Sequence, residues 1–293
     1  MQATAADGIA AKTVLNAAWR LAPAKINLTL SLKGQRADGY HLLNSLVAFA
    51  GVGDRLAAEP ASGLSLAISG PFADGLSAGG DNLVLRAAES LAAGSAMGAA
   101  LHLEKNLPLA SGIGGGSSDA AAALKLLEEL WAISSTDELA RTLGADVPVC
   151  CAAPVPQIMR GIGDDLTPAP DLPAAWVVLV NPLVGVPTAA VFSNVSDKHP
   201  PSAPSMPEDG FECFAAFTDW LTTQRNDLQS AAIAVCPIIS EVLQALSEAP
   251  LARMSGSGAT CFALVEHEAE ALELAQRVRN ARPWWVAAAP LLS

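Results

Sequence analysis

The chain has 293 residues, of which 51% are hydrophobic and 16% are charged. This composition excludes an intrinsically disordered protein, because it supplies enough apolar surface to form a core. The length exceeds the roughly 250 residues that one compact core usually supports, and it therefore favours two domains. The net charge of −12 excludes a general affinity for nucleic acid, which needs clustered cations. An anionic ligand must instead be held by local groups such as backbone amides or one or two lysines.

Cysteine usage and hydropathy indicate a cytoplasmic protein without membrane segments. The five cysteines are odd in number, include one adjacent pair and lack metal-ligand spacing, which predicts reduced thiols: Cys150, Cys151, Cys213, Cys236 and Cys261. Residues 1–18 lack a basic segment before an apolar one, so they are predicted to be a weakly structured extension and not a secretory signal. The uncharged stretch 172–196 is interrupted by prolines, which a membrane-spanning helix would rarely tolerate together.

The N-terminal part is predicted to begin with strands. Residues 19–32 alternate strictly, with Ile26, Leu28, Leu30 and Leu32 on one face and Lys25, Asn27, Thr29 and Ser31 on the other. This period predicts one long strand with a buried face and a polar face. Further strands are predicted at 41–56, 64–68 and 99–103, and a helix at 82–93.

The most informative segment is the glycine run Gly112-Ile113-Gly114-Gly115-Gly116, followed by Ser117-Ser118-Asp119. Such a turn leaves backbone N–H groups uncovered, and the N-terminus of the next helix adds roughly half a positive charge. Together they predict a phosphate site held by the main chain. A flexible linker is the alternative, but Ala120, Leu124, Leu127 and Trp131 form an apolar stripe at helical spacing. The run is not the common P-loop, which needs a lysine after the last glycine.

The remaining elements are mixed strands and helices without regular βαβ alternation, which predicts an α+β fold. Ser135 and Glu138 have the spacing of a capping box, with Ser135 as N-cap of a helix that ends at Gly144, its predicted C′ residue. The proline-rich residues 167–173 are the predicted domain boundary, and 199–210 is predicted to loop out. Strands are predicted at 175–180 and 261–265, helices at 214–223, 238–246 and 268–279, and a second glycine turn at 255–258.

Five ordered motifs carry a resemblance to a known family. The segments Pro23-Ala24-Lys25-Ile26-Asn27-Leu28, residues 108–121 and Ser255-Gly256-Ser257-Gly258-Ala259 resemble the three signatures of the GHMP kinase superfamily. The segments 34–41 and 143–148 resemble those of members that act on a cytidine diphosphate sugar alcohol. Kinases for homoserine or mevalonate are the alternative within the family, and a non-catalytic nucleotide-binding protein is a third possibility.

The resemblance implies a two-domain α+β kinase with its active site in the cleft between domains. It divides the chain into the extension 1–18, an ATP-binding domain at 19–170 and a C-terminal domain at 171–293. The implied reaction moves the γ-phosphoryl group of ATP to an alcohol. ATP, Mg²⁺ and a small-molecule substrate are the expected ligands. No nucleic acid or membrane partner is expected, and the expected state is a monomer or weak homodimer.

Two residues are predicted to be catalytic, Lys25 and Asp146. From the sequence alone, Asp146 could equally be a turn aspartate that bonds its own backbone, and Lys25 could be a solvated charge on a strand. The resemblance implies that Asp146 is the base that accepts the hydroxyl proton. It implies that Lys25 stabilises the developing charge.

The resemblance also implies two sets of binding residues. The predicted ATP-binding residues are Pro108, Leu109, Ala110, Ser111, Gly112, Ile113, Gly114, Gly115, Gly116, Ser117 and Ser118. The predicted substrate-binding residues are Asn27, Tyr40, His41, Phe192, Gly256, Ser257 and Gly258, with Tyr40, His41 and Phe192 recognising the cytosine. Ser117 and Ser118 are also predicted to cap the phosphate-binding helix. No metal-ligating residue is predicted, since Mg²⁺ can be held by phosphates and water. Ala110 and Ser111 replace glycines of many family members, and Asn226-Asp227 has no predicted role.

Overall fold

The computed structural model describes residues 18–197, 200–201 and 203–292. Its strands are β1 (Arg20–Asn27), β2 (Ser31–Gln35), β3 (His41–Pro60), β4 (Leu64–Ser69), β5 (Ala99–Glu104), β6 (Gln157–Gly161), β7 (Asp165–Pro168), β8 (Trp176–Asn181), β9 (Leu251–Met254), β10 (Cys261–Val265) and β11 (Trp285–Leu292). Its helices are α1 (Leu83–Ala92), α2 (Gly115–Trp131), α3 (Asp137–Leu143), α4 (Val147–Cys151), α5 (Thr188–Ser193), α6 (Phe214–Thr223), α7 (Gln229–Val235), α8 (Ile238–Ala245) and α9 (Glu268–Ala281).

The strands form one mixed sheet in the order β4-β5-β3-β11-β8-β10-β9. The long strand β3 organises the N-terminal half, because β1, β2, β5 and β6 all pair with different stretches of it in antiparallel register. Strand β11 joins the two halves of the sheet. It pairs with β3 at Leu291 and Leu292 and with β8 along six residue pairs from Trp285 to Pro290.

The helices cover the sheet and place the site-forming loops between the two halves. The apolar sides of α1 and α2 pack together over β5, with Val84, Ala88, Ala120 and Leu124 buried between them. A second cluster mixes side chains from both halves of the chain, among them Ile26 of β1 and Phe262 of β10. The loops that connect these elements are therefore held on a common core.

The predicted single strand at 19–32 is wrong. The chain leaves β1 after Asn27 and enters β2 only at Ser31, because Leu30 turns away from β3 and its N–H donates to the carbonyl of Arg225 at 2.9 Å. The predicted polar face is also buried, since Lys25, Asn27, Thr29 and Ser31 are at most 7% exposed. Alternation identified the two faces correctly but could not show that both are covered.

Arg253 holds this strand break against the C-terminal half. Its buried guanidinium donates to the carbonyls of Leu28 (2.7 Å), Leu221 (2.7 Å) and Gln224 (2.9 Å). Burial lowers the pKa of Arg253 to about 10. The three carbonyl acceptors replace the water that the guanidinium loses.

The predicted cap of the helix before Gly144 is also wrong. The N-cap of α3 is Thr136, whose hydroxyl accepts from the N–H of Leu139, while Ser135 donates to the carboxylate of Glu128. Gly144 does end the helix, but its φ of 166° is extended and not left-handed. Ser135 is thus bonded to Glu128 of the preceding helix α2, and it does not serve as the N-cap that its spacing predicted.

The other predicted elements are present, and the α+β fold class is confirmed. All five cysteines are free thiols. Among the described residues, no helix is both long and apolar enough to cross a membrane. The predicted extension lies outside the described residues except for Ala18, as do residues 199 and 202 of the predicted loop 199–210. The described part of that loop contains no helix or strand.

Candidate active site

The glycine loop has a conformation that only glycine adopts easily. Gly112 and Gly114 have φ values of 76° and 68°, in the left-handed region. A Cβ atom on Gly112 would lie 2.5 Å from the carbonyl oxygen of Gly258, and one on Gly114 would lie 3.1 Å from the Cβ of Lys25. Gly114 is the N-cap of α2, so the uncovered N–H groups of the first turn follow it directly.

The second glycine turn is hydrogen-bonded to this loop. Thr260 donates to the carbonyl of Ser111 from its N–H (3.2 Å) and from its hydroxyl (2.6 Å). The hydroxyl of Ser255 accepts from the N–H of Asn27 at 3.1 Å. The loop, the turn and the end of β1 are therefore one connected unit.

Asn226 holds the second glycine turn by hydrogen bonds, a role that the sequence did not predict. Its side-chain amide donates to the carbonyls of Met254 and Gly256, each at 2.8 Å, and its Oδ1 accepts from the N–H of Leu228. An asparagine that bonds its own backbone two residues on is a common turn signal, but the long-range acceptors are visible only in three dimensions.

The two predicted catalytic residues meet beside the glycine loop. The ammonium nitrogen of Lys25 lies 2.9 Å from Oδ2 of Asp146. The N–H of Lys25 also donates to the carbonyl of Ile113 at 2.9 Å, so the strand and loop are held together at this point. Asp146 stands at the N-terminus of the short helix α4, which Pro148 helps to start.

A cleft of about 820 Å³ connects these groups. The predicted site residues that line it are Lys25, Asn27, Pro108, Leu109, Ala110, Ser111, Gly112, Gly114, Gly115, Gly116, Ser117, Asp146, Phe192, Gly256, Ser257 and Gly258. The residues Ile113, Ser118, Tyr40 and His41 are predicted members that do not line it. The structure therefore gathers most of both predicted sets around one space.

Ser117 and Ser118 do not cap α2, which corrects the prediction made for both. They lie inside its first turn, because the N-cap is Gly114 and carries no side chain. Ser118 is buried, and its hydroxyl donates to the carbonyl of Pro23 at 2.7 Å and contacts the sulfur of Cys150 at 3.3 Å. Burial raises the pKa of Cys150 to about 12, so this thiol stays protonated.

The aromatic end of the cleft is formed by Phe192 of α5. The rings of Phe192 and His41 are 5.0 Å apart at 31°, a tilted packing that holds both rings. Tyr40 is 62% exposed and lies outside the cleft. Apolar side chains also line the cleft, among them Leu43 and Met159.

A buried charge cluster below the glycine loop was not predicted. Lys105 donates to the carboxylates of both Asp54 and Asp119, and the side chains of all three are at most 4% exposed. Lys105 and Asp119 also line the cleft. The position of Lys105 just before the loop was the available sequence signal, but Asp54 lies on a distant strand and gave none.

Burial and the neighbouring charges shift the pKa values of both Asp119 and Lys105. Burial raises the pKa of Asp119 to about 8, although Lys105 opposes the shift. Burial by itself would lower the pKa of Lys105, but the two carboxylates outweigh it and the pKa is raised. No group of three or more metal-ligating side chains that could hold a metal ion occurs in the described part of the chain.

Comparisons with known proteins agree with this geometry. The family model of the GHMP kinases N terminal domain matches residues 82–154, and that of the GHMP kinases C terminal matches residues 211–283. The chain is 52% identical over 279 residues to 4-diphosphocytidyl-2-C-methyl-D-erythritol kinase of Cereibacter sphaeroides, covering 92% of this chain and 98% of that one. It is 53% identical over 274 residues to the enzyme of the same name from Ruegeria pomeroyi, covering 91% and 96%.

A solved structure gives the same result. The crystal structure of a 4-(cytidine 5'-diphospho)-2C-methyl-D-erythritol kinase superposes with a TM-score of 0.76 at 35% identity, covering 94% of this chain and 100% of the other. The likeness spans both halves of the sheet. The chain belongs to the 4-diphosphocytidyl-2-C-methyl-D-erythritol kinase family of the GHMP kinases.

Proposed function

We propose that this chain transfers the γ-phosphoryl group of ATP to the 2-hydroxyl of 4-diphosphocytidyl-2-C-methyl-D-erythritol, a step of non-mevalonate isoprenoid precursor biosynthesis. The observation that carries the proposal is the Lys25–Asp146 ion pair, 2.9 Å long, at the edge of the glycine loop. A phosphoryl acceptor placed there would have a carboxylate for its proton next to a seat for the donor phosphates.

The triphosphate is proposed to lie over Gly112–Ser117. The first-turn N–H groups of α2 have no partner inside the helix, and the helix dipole favours negative charge at this end. Gly114, Gly115 and Gly116 carry no side chains, so a phosphate can approach the main chain closely. Leu109 is 40% exposed at the start of the loop and would pack against the nucleoside.

In the proposed reaction, the 2-hydroxyl oxygen attacks the γ-phosphorus while its proton passes to Asp146. A bond forms between the alcohol oxygen and phosphorus, the bond to the bridging oxygen breaks, and ADP leaves with that electron pair. Lys25 orients the carboxylate through the 2.9 Å contact and offers positive charge beside the transferring group. The buried position of the lysine fixes its ammonium, so little reorganisation is needed during the reaction.

The cytidine end is proposed to bind at the aromatic end of the cleft. Phe192 lines the cleft, and His41, which packs against that ring from outside the cleft lining, is proposed to supply polar contacts to the base. Tyr40 is proposed to cover the base from its exposed position after the β2–β3 turn. Asn27 lines the cleft, and its buried Oδ1 has no hydrogen-bond partner among the described residues, so we propose that the side chain turns to accept from a substrate hydroxyl on binding.

Mg²⁺ is proposed to arrive with ATP and to be held by phosphate oxygens and water. Asp119, a carboxylate that lines the cleft beside the loop, is buried and bonded to Lys105, which makes it a poor ligand. Mg²⁺ commonly keeps several waters when it is bound with nucleotide phosphates, and it neutralises phosphate charge. No protein ligand is assigned to it.

The division into domains at 170/171 is also a proposal. The proline-rich stretch 167–173 lies between the segments matched by the two family models, which end at 154 and begin at 211. Residues 19–170 would then carry the glycine loop and Asp146, and residues 171–293 would carry Phe192 and the second glycine turn.

The decisive experiment measures ADP formation by the purified chain with three alcohols in turn. We expect turnover with 4-diphosphocytidyl-2-C-methyl-D-erythritol and none above background with homoserine or mevalonate. Phosphorus NMR of the product would identify a new phosphate monoester on the 2-hydroxyl. Turnover with either of the other alcohols alone, or ATP binding without transfer to any of them, would refute the proposed function.

A further inference from the structure

The cluster Asp54–Lys105–Asp119 satisfies its two carboxylates unequally. Asp54 accepts from Lys105 and, through Oδ1, from the N–H groups of Asn106 (2.6 Å) and Leu107 (2.8 Å). Asp119 accepts only from Lys105, at 2.7 Å, and its buried Oδ1 has no hydrogen-bond partner among the described residues. Asp54 thus has three hydrogen-bond donors, whereas Asp119 has one among the described residues.

With both carboxylates ionised, the cluster would carry a net charge of −1 away from water. An unpaired negative charge in such a place is costly, and the group with fewer donors is the one that takes up a proton. The raised pKa of Asp119, about 8, agrees with this reasoning from geometry. Asp119 is therefore neutral at pH 7 and leaves the cluster uncharged.

The cluster lies directly under the proposed phosphate seat. A Cβ atom on Gly115 would lie 3.5 Å from Nζ of Lys105 and 3.5 Å from Oδ2 of Asp54. Asp119 follows Gly115 by one helical turn and faces the same side of α2. A charge on Asp119 would therefore act over a short distance on phosphates bound at the first turn of the helix.

Few other charged groups face Asp119. From β3 it meets Asp54 and from the end of β5 it meets Lys105, while α1 packs against α2 with apolar side chains. On β1, Lys25 is directed to Asp146 on the other side of the loop. From α4, Cys150 is a protonated thiol. The charge state of the cluster thus depends mainly on whether Asp119 holds its proton.

We propose that ATP binds to the form of the protein in which Asp119 is protonated, so that loss of this proton weakens nucleotide binding. The proposal rests on the proposed ATP site. In it, the protonated acid is a positioning residue, since it acts on the phosphates through the charge below the loop and touches no reacting atom. Bound phosphates hold the proton more firmly, and by linkage ATP binding takes up a proton wherever the free protein has lost it.

The test is calorimetric titration with a non-hydrolysable ATP analogue from about pH 7 to about pH 9.5, in pairs of buffers with different ionisation enthalpies. Phosphate monoesters titrate near about pH 6, so the ligand itself stays fully ionised over most of this range. For the wild-type protein we expect Kd to rise by up to about tenfold per pH unit above pH 8, with uptake of up to one proton per ligand.

Asp119→Asn is neutral at every pH, and we expect its Kd to change little over the same range and its binding to take up no proton. Glu104→Gln is the matched control, because Glu104 is an acid in the same segment that pairs with surface Arg55. It should keep the wild-type profile. A flat wild-type profile, or an Asp119→Asn profile with the wild-type slope, would overturn the inference.

If Asp119→Asn does not fold, the inference is tested by the number of protons that the wild-type protein takes up when it binds the analogue. Uptake of no proton at pH 9 would overturn the inference. Absence of analogue binding at pH 7 would instead contradict the proposed function itself, so the two failures are distinguishable.

Discussion

The ammonium of Lys25 lies 2.9 Å from the carboxylate of Asp146, which follows it by 121 residues in the chain. The pair is asymmetric, because the lysine side chain is 5% exposed and the aspartate side chain is 39% exposed. The buried partner fixes the position of the pair, and the exposed partner presents one face to the cleft. This arrangement suits a base that must meet a ligand and be held in one orientation.

Replacing the exposed partner should separate binding from turnover. Asp146→Asn keeps the size of the side chain but cannot accept the hydroxyl proton. We expect kcat to fall by roughly 10²- to 10⁴-fold, with Kd for an ATP analogue changed by less than about threefold. Steady-state kinetics and analogue titration check this. Near-normal kcat in a correctly folded variant would remove Asp146 from the role of base.

Replacing Lys25, the buried partner, tests how much its positive charge contributes to turnover. Lys25→Met fills a similar volume without the ammonium, and we expect kcat to fall by at least about tenfold, since an electrostatic contact to the transferring group is lost. Circular dichroism should show that the fold is kept. Unchanged kcat would show that Lys25 serves only to pack the end of β1 against the loop.

The connection between the two glycine loops can be tested at Gly112. In Gly112→Ala the left-handed φ costs roughly 1–2 kcal/mol, and the new methyl group would lie 2.5 Å from the carbonyl oxygen of Gly258. We therefore expect a lower Tm and a KM for ATP raised at least about tenfold. Gly63→Ala is the control, because a Cβ atom on Gly63 would meet no other atom within 4 Å. Equal effects of the two substitutions would contradict the role assigned to Gly112.

The sequence could predict those parts of the site whose patterns lie within a few neighbouring residues. The glycine loop and its helix are local, because φ requirements and apolar spacing lie within a few residues of each other. The meeting of Lys25 with Asp146 could be expected only through the family resemblance, since nothing near either residue specifies the other. The Asp54–Lys105–Asp119 cluster escaped prediction because it combines β3, the end of β5 and α2.

The strand break at 28–30 shows the same limit. The alternation of apolar and polar residues continues through it without interruption. The break depends on the carbonyl of Arg225, which receives the N–H of Leu30, and on Arg253, which binds the carbonyl of Leu28. Both partners lie far along the chain, in its C-terminal half, so periodicity in a short window could not reveal them.

The aromatic end of the cleft can be tested independently of the phosphate seat. Phe192→Ala removes the ring that packs with His41, and an aromatic contact is worth about 0.5–1.5 kcal/mol beyond its buried area. We expect KM for the cytidine substrate to rise roughly three- to tenfold while KM for ATP is unchanged. Phe211→Ala is the control, since Phe211 packs on Phe217 and Trp220 away from the cleft and should lower Tm only. Equal changes in both KM values would contradict a separate base site.

The pKa of Asp119 predicts how the stability of the ligand-free protein depends on pH. Its folded pKa of about 8 lies above its ordinary value of 3.8 because the carboxyl group is buried. Between these values the folded state binds more protons than the unfolded state, so the contribution of this group to stability is fully present below pH 4 and is lost as pH rises toward 8. The slope from this group alone should be on the order of 1 kcal/mol of unfolding free energy per pH unit.

Urea unfolding at several pH values between about 4.5 and 8 measures this slope. Asp119→Asn lacks the titrating proton, so its free energy of unfolding should fall less steeply than that of the wild-type protein across the window. Glu104→Gln should follow the wild-type curve, since its surface ion pair with Arg55 is worth little. Parallel curves for the wild-type protein and Asp119→Asn would mean that Asp119 is ionised throughout, and that Lys105 and nearby water hold its charge in the folded state.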